Sequence, residues 1–181
     1  TRSIYSIKAR NKLKKFIEEI CPDIVHINNI HAHLTPSILD TIHQKGISIV
    51  WTLHDFKLLC PESHFLSHDV VCEKCKGNKF YNCLLNKCKK GSFSASLIAT
   101  VEAYVHQSLL LTDKVNIFIA PSLFMREKFI EYGMNSAQIV FLRNFLILNN
   151  KIREEIQSNY ILFFGGLSLW KGVGTLIAAM K

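Results

Sequence analysis

Short apolar runs alternate with amphipathic stretches along most of the chain. The apolar runs are predicted strands, at residues 24–27, 47–53, 116–120, 139–142 and 160–164. The amphipathic stretches are predicted helices, from 2 to 20 and then at about 35–45, 92–112, 122–133 and 171–181. The run at 47–53 is too apolar for one face to meet water, which is typical of a parallel strand covered on both faces. This alternation predicts an α/β fold with a Rossmann-like, mostly parallel sheet.

Individual residues mark where several helices begin and end. The first helix is predicted to stop at Cys21-Pro22, because the residue before a proline disfavours helical geometry. The second is predicted to begin with Thr35 as N-cap and Pro36 in the first helical position. Gly46 then follows as a suitable C-terminal cap.

Two changes of pattern divide the chain into parts. Residues 1–145 are predicted to be part of an N-terminal Rossmann-like domain, interrupted by a Cys-rich insert at 56–91 that shows neither period. Residues 146–158 are polar and lack a core pattern, so they are predicted to be a linker, with an exposed helix as the alternative. Residues 159–181 are predicted to begin a second domain.

The segments just after the strands are the candidate ligand-binding segments, because open α/β sheets bind ligands at the carboxyl ends of their strands. These segments are 28–33, 54–55, 121–122, 143–144 and 165–171. His54 in such a place can bind a hydroxyl group or transfer a proton near neutral pH. A histidine with a purely structural hydrogen bond is the alternative, as a solvated loop is for His31.

The turn at Gly165-Gly166 leads into a helix that begins near Lys171. Glycines let backbone N–H groups approach an anion, the helix N-terminus carries partial positive charge, and the lysine adds a full charge. The turn therefore suits a diphosphate, although its spacing is not that of a P-loop. A simple connection between strand and helix is the alternative.

Five of the six cysteines lie between residues 60 and 88. Without a secretion signal, such a cluster indicates metal ligands before disulfides, and a structural Zn²⁺ is favoured. Disulfides and free thiols stay open as alternatives. The predicted ligands are Cys72, Cys75, Cys83 and Cys88, with Cys60 as the alternate. Cys21 stands apart and is predicted to be a buried core thiol.

The balance of charge is basic, with 22 Lys and Arg against 14 Asp and Glu in 181 residues, a net charge of +8. A hydrophobic content of 49% excludes a disordered chain. No nucleic-acid-binding motif is present, so nucleic acid is not an expected partner. A solvated basic face is the simpler interpretation, and peripheral contact with an anionic membrane is the other.

Several of these segments resemble family 4 glycosyltransferases. Residues 160–181, with Gly165-Gly166 and Lys171-Gly172, resemble the opening of that family's second domain. The segments 23–26, 50–55 and 118–122 resemble successive strand ends of its first domain, and the Cys-rich insert resembles a subgroup. The resemblance implies the two-domain GT-B fold and transfer of a sugar from a nucleotide-sugar donor with retention, without a metal for the transfer.

The resemblance also implies roles for single residues. His54 matches a catalytic-site histidine that contacts the transferred sugar. Lys171 matches the lysine that holds the donor diphosphate, and Gly165 belongs to the same diphosphate-binding turn. Gly166 stands where the family has an arginine, which removes a bidentate phosphate contact. The implied substrate-binding residues are His31, Asp55 and Asn144.

The implied partners are a nucleotide sugar and a glycan, lipid-linked or small acceptor, in polysaccharide biosynthesis. The implied location is the cytoplasm, at the inner face of the plasma membrane. The family's Gly-rich loop would precede residue 1 and its paired glutamates would follow residue 181, so we expect a fragment that is inactive by itself. The alternative is a non-catalytic, zinc-stapled Rossmann-like module that binds a nucleotide or a protein.

Overall fold

The computed structural model describes residues 4–31, 34–146, 160–167 and 171–180. In chain order the helices and strands are α1 (Ile7–Ile20), β1 (Ile24–Ile27), α2 (Ile38–Gln44), β2 (Ser48–Thr52), β3 (Leu66–Ser67), β4 (Val70–Val71), α3 (Tyr81–Leu85), α4 (Phe93–Ser108), β5 (Ile117–Ala120), α5 (Leu123–Glu131), β6 (Ile139–Phe141) and α6 (Val173–Ala179). Short 3₁₀ turns at Thr112–Lys114 and Ser136–Gln138 precede β5 and β6.

Four of the strands form a parallel sheet in the order β1-β2-β5-β6. Its register aligns one buried residue from each strand in a row across the sheet. These residues are Ile27, Trp51, Phe118 and Ile139. The predicted Rossmann-like α/β class is therefore confirmed.

Helices α2 and α5 contribute three fully buried side chains to the main core, Leu39, Ile42 and Phe129. Burying a side chain of this size stabilises the fold by about 1.5–3 kcal/mol. The serines that precede two helices cap them, since Ser92 Oγ accepts from Ala95 N at 3.4 Å and Ser122 Oγ accepts from Met125 N at 3.1 Å.

The predicted start of α2 was wrong. The helix begins at Ile38 rather than at Pro36. Thr35 is fully buried with φ +59°, and its hydroxyl accepts from Ser6 N at 3.1 Å and bonds Ser37 Oγ at 2.8 Å. The Thr35 side chain therefore bonds Ser6, which is 29 residues away in sequence, instead of capping the helix.

The prediction of a buried Cys21 was also wrong. Cys21 is exposed and ends α1 in a left-handed conformation, φ +48°, while its N–H bonds Ile17 O at 2.8 Å. The left-handed conformation at Cys21 ends the helix and reverses the chain, and this leaves the thiol on the surface rather than in the core.

The Cys-rich insert joins β2 to α4. It contains the antiparallel pair β3–β4 and the short helix α3, which packs against α4. Strands of two residues and a helix of five residues are too short to show a period in the sequence, as the insert's lack of pattern predicted.

The chain divides into two compact units, residues 1–145 and 146–181. In the second unit, helix α6 begins at Val173, two residues later than predicted. The strand predicted at 160–164 is not formed; a strand needs a hydrogen-bonded partner, and these residues pair with none in the part of the chain that the structure describes. Of the predicted linker at 146–158, residues 147–158 lie outside the described residues.

Candidate active site at the carboxyl edge of the sheet

The strands β1, β2, β5 and β6 all end at the same edge of the sheet because they are parallel. Main-chain pairing extends slightly beyond them, since Leu53 N donates to Ile119 O at 2.9 Å and Leu142 N donates to Ala120 O at 3.0 Å. The residues that follow these strands are therefore held in fixed positions at this edge.

His54 lies at this edge and is hydrogen-bonded across two strand ends. Its Nε2 lies 2.9 Å from Oδ1 of Asn28, the first residue after β1. A ring that donates from Nε2 to an amide oxygen presents Nδ1 as an acceptor in its neutral form. His54 is exposed rather than buried, so the predicted histidine is oriented by a neighbour and accessible to a ligand.

A second polar pair lies just behind the first. His26 Nε2 and Thr52 Oγ1 are 2.8 Å apart, and each stands two residues before a member of the outer pair. Because side chains two residues apart in a strand share a face, the two pairs line one face of β1 and β2. The arrangement is a short polar ladder that leads to His54.

His31 lies near this edge, on a loop after β1. Its ring centroid is 5.5 Å from that of Trp51, and its buried Nδ1 has no hydrogen-bond partner among the described residues. Burial lowers the pKa of His31 to about 4, against the opposing effect of Asp55. A neutral imidazole with an unpaired buried nitrogen is suited to accept a hydrogen bond from a polar ligand.

Asp55 has a structural role that the sequence did not reveal. Its Oδ1 accepts from Lys57 N at 2.8 Å and so turns the chain away from the sheet. The Lys57 side chain then pairs with Glu102 of α4 at 2.9 Å and donates to Pro61 O at 3.0 Å. The two charged side chains are only 12% and 10% exposed, so this pair joins the root of the insert to α4.

A cavity of about 400 Å³ lies beside this ion pair, between the sheet, the insert and α4. Lys57, Trp51 and His106 are among the residues that line it. Neither His54 nor Asn28 lines the cavity, so it is distinct from the site at the strand edge.

The ends of β5 and β6 contribute less to the site. Ser122 is occupied as the cap of α5. The Arg143 guanidinium lies 5.7 Å from the centre of the Phe141 ring, and Asn144 is exposed three residues beyond β6. Asn144 thus lies at the predicted edge of the sheet but shows no contact with His54 or Asn28.

In the second unit, the predicted diphosphate-binding turn is only partly described. Gly165 has φ +152°, and a Cβ there would lie 3.5 Å from the Phe163 ring, whereas Gly166 has open space around it. Lys171 is exposed just before Gly172, which has φ +72° and precedes α6. Residues 168–170 of this turn lie outside the described residues.

The five clustered cysteines all lie in the insert or at its root, and none of the chain's six cysteines is in a disulfide. Cys75 and Cys83 belong to a small buried cluster with Cys88 packed against it, and Cys72 is half-buried. Within residues 4–31, 34–146, 160–167 and 171–180, no three His, Cys, Asp or Glu side chains form a ready metal-binding group.

Sequence reasoning missed two features of this region. Asn28 was part of a strand-end segment but was not selected, and its amide is what orients His54. The partners Lys57 and Glu102 are 45 residues apart, and a glutamate on a long apolar helix was their only signal in the sequence.

One of three comparisons with known proteins finds a match, and that match agrees with the fold. No helix in the described ranges has the length and apolar character needed to cross a membrane. Searches of the curated proteins and of the solved structures find no match. A family model described as Glycosyltransferase Family 4 matches residues 1–149, most of the 181 residues. The resemblance to this family is thereby confirmed for residues 1–149, and the chain belongs to Glycosyltransferase Family 4.

Proposed function

We propose that this chain belongs to a retaining glycosyltransferase that takes a sugar from a nucleotide-sugar donor. The observation that supports the proposal best is the exposed His54 at the carboxyl edge of the sheet, oriented by Asn28, in a domain of this family. The family match does not favour the alternative of a non-catalytic binding module.

In this proposal His54 contacts the sugar during transfer. The 2.9 Å contact with Asn28 fixes the ring, so Nδ1 is directed to accept from a hydroxyl group of donor or acceptor. His31 and Asn144 bind substrate near the same edge, and Asp55 acts mainly by shaping the loop. Gly165, Gly166 and Lys171 bind the donor diphosphate in the second unit.

The proposed acceptor is a glycan or a lipid-linked saccharide of a polysaccharide pathway, reached at the inner face of the plasma membrane. Two features of the insert and α4 support contact with an anionic surface. Phe93, Leu97 and Val101 are exposed apolar side chains on α4, and Lys87 and Lys90 are exposed basic residues just before it. The unpaired thiols fit the reducing cytoplasm.

The test, made with the whole enzyme to which this chain belongs, is transfer of radiolabelled sugar from a panel of nucleotide sugars to cell extract. The product is then divided between organic solvent and water. His54→Ala is expected to lower turnover by ~10²-fold or more. Asn28→Ala should lower it less, because the histidine remains but is no longer oriented. His43→Ala is the matched control, since His43 is an exposed histidine on α2.

Normal turnover by folded His54→Ala protein would refute the assigned role of His54. Label in the organic phase would support a lipid-linked acceptor, and label found only in water would refute that part of the proposal. Absence of transfer from every donor, with no binding of any nucleoside diphosphate, would refute the proposed function as a whole.

A further inference from the structure

The hairpin β3–β4 places two cysteines of the insert on one tight turn. Cys72 directly follows β4, and its N–H donates to Phe65 O at 2.8 Å, which fixes the end of the hairpin. The chain then turns, with Lys76 N donating to Glu73 O at 3.1 Å and Gly77 at φ +69°. Cys72 and Cys75 therefore flank a single turn, which is how a C-x-x-C pair supplies two thiolates to one metal ion.

Helix α3 and the turn after it bring two more thiols to the same place. Cys83 lies in the middle of α3, and Cys88 N donates to Cys83 O at 3.1 Å. Asn82 of α3 donates from Nδ2 to Lys74 O at 2.8 Å, which holds α3 against the turn between Cys72 and Cys75. Cys75 lies in the same buried cluster as Cys83, and Cys88 packs against that cluster.

The centre of the insert contains little else that could hold it together. Its buried cluster consists of Cys75, Cys83, Phe80 and Ala99, with Cys88 and Ala103 packed against it. Half of these six residues are cysteines, and only Phe80 has a large apolar side chain. Such a core supplies little hydrophobic stabilisation, and small modules of this kind are usually held by a metal or by disulfides.

Charge around the cluster is compatible with bound thiolates. Four thiolates on Zn²⁺ leave a net charge of −2, and the insert is rich in lysine. Lys74, Lys76 and Lys79 lie within seven residues of Cys72. The sequence around the cysteines is therefore basic, and positive charge near a buried anion lowers the cost of its burial.

We propose that Cys72, Cys75, Cys83 and Cys88 bind one Zn²⁺ that holds the insert together. The thiols lie together without forming a ready site, so metal binding draws them closer. Cys60 is the remaining thiol of the cluster. It is packed in the main core.

The metal replaces the thiol protons of its four ligands, and no oxidation or reduction is involved. The site is structural: it fixes the insert between β2 and α4. It is independent of the transferase reaction proposed above, and its test needs no activity assay.

Elemental analysis of protein purified without chelator should find about one Zn²⁺ per chain. Cys75→Ser and Cys83→Ser should each lose it, whereas Cys21→Ser, at an exposed position outside the insert, should keep it. Cys60→Ser should keep it too; loss of zinc in Cys60→Ser together with retention in Cys72→Ser would overturn the choice of the fourth ligand.

Thiol titration and cobalt substitution test the site in the wild-type protein, so their results do not depend on whether a cysteine variant folds. In the native wild-type protein the four ligand thiols should react only after a chelator is added, and Co²⁺ should give the spectrum of a tetrahedral thiolate site. Wild-type protein without metal, with all its cysteines reacting at once, would overturn the proposal. Disulfides found by mass spectrometry among the same cysteines would overturn it as well.

Discussion

Acidification should destabilise the N-terminal unit before any carboxylate titrates, because His31 is buried in its neutral form. Burial is the main cause of its lowered pKa, and the nearby charges partly oppose and partly reinforce it. The groups that face it are Asp55, Lys57, Glu102 and His106. The two carboxylates favour the protonated ring, while Lys57 and His106 disfavour it.

The magnitude follows from linkage between proton binding and folding. The pKa of His31 is about 4 in the folded chain, against 6.5 for an unperturbed histidine. Because the unfolded chain binds the proton more tightly, stability is fully present above pH 6.5 and is lost as the pH falls toward 4. Between pH 7.5 and pH 5 this single group should cost about 2 kcal/mol of the free energy of unfolding.

Urea unfolding at a series of pH values from 7.5 to 5 measures this loss. His31→Asn should remove most of the pH dependence, and His43→Asn, at an exposed position, should retain it. The lowered pKa of His106 acts in the same direction, so a small dependence should remain. The lowered pKa values of Asp40 and Glu131 act below this range. An unchanged slope in His31→Asn would refute the reasoning.

Two further predictions concern single charges. Lys57→Met should cost about 3–5 kcal/mol of unfolding free energy because it leaves Glu102 buried without its partner, whereas Lys57→Met with Glu102→Leu should cost much less; equal losses in a urea titration would contradict this. In the whole enzyme, Lys171→Ala should weaken nucleoside-diphosphate binding by about 2 kcal/mol or more in calorimetry, while Lys8→Ala should not. Unchanged affinity in Lys171→Ala would mean that this turn only connects strand and helix. Gly166→Arg should strengthen binding of the same nucleoside diphosphate, since open space surrounds Gly166 and its φ lies outside the left-handed region.

The parts of the fold that sequence predicted are those in which local preference and burial agree. The strand around Trp51 is a run of β-branched and apolar residues, and it lies between two other strands of the sheet. Ser122 caps α5 by accepting from the N–H of Met125, three residues away, so the start of this helix depends on local sequence alone. Gly46 and Gly133 end helices at positive φ for the same local reason.

The errors fall where a distant partner decides the conformation. Thr35 has the sequence of an N-cap, but a hydrogen bond from Ser6 holds it in a left-handed conformation. Residues 160–164 have the composition of a strand, yet composition cannot supply the neighbouring strand that a ladder requires. The ion pair between Lys57 and Glu102 could not be predicted from the sequence either, because 45 residues separate the two side chains.

The position of His54 follows from strand register. In the pairing of β1 with β2, Ile24 is aligned with Ser48 and Ile27 with Trp51, an offset of 24 residues. Both polar pairs, His26–Thr52 and Asn28–His54, span 26 residues, so each joins the same relative positions of the two strands.

The opposite face of these strands carries the core residues Ile27, Trp51 and Leu53. Sliding β1 by one residue would move Ile27 to the polar face and would turn His26 and Asn28 toward the core. The hydrophobic free energy that fixes the register of the sheet therefore also fixes Asn28 beside His54. In this way the packing of the core determines the geometry of the candidate active site.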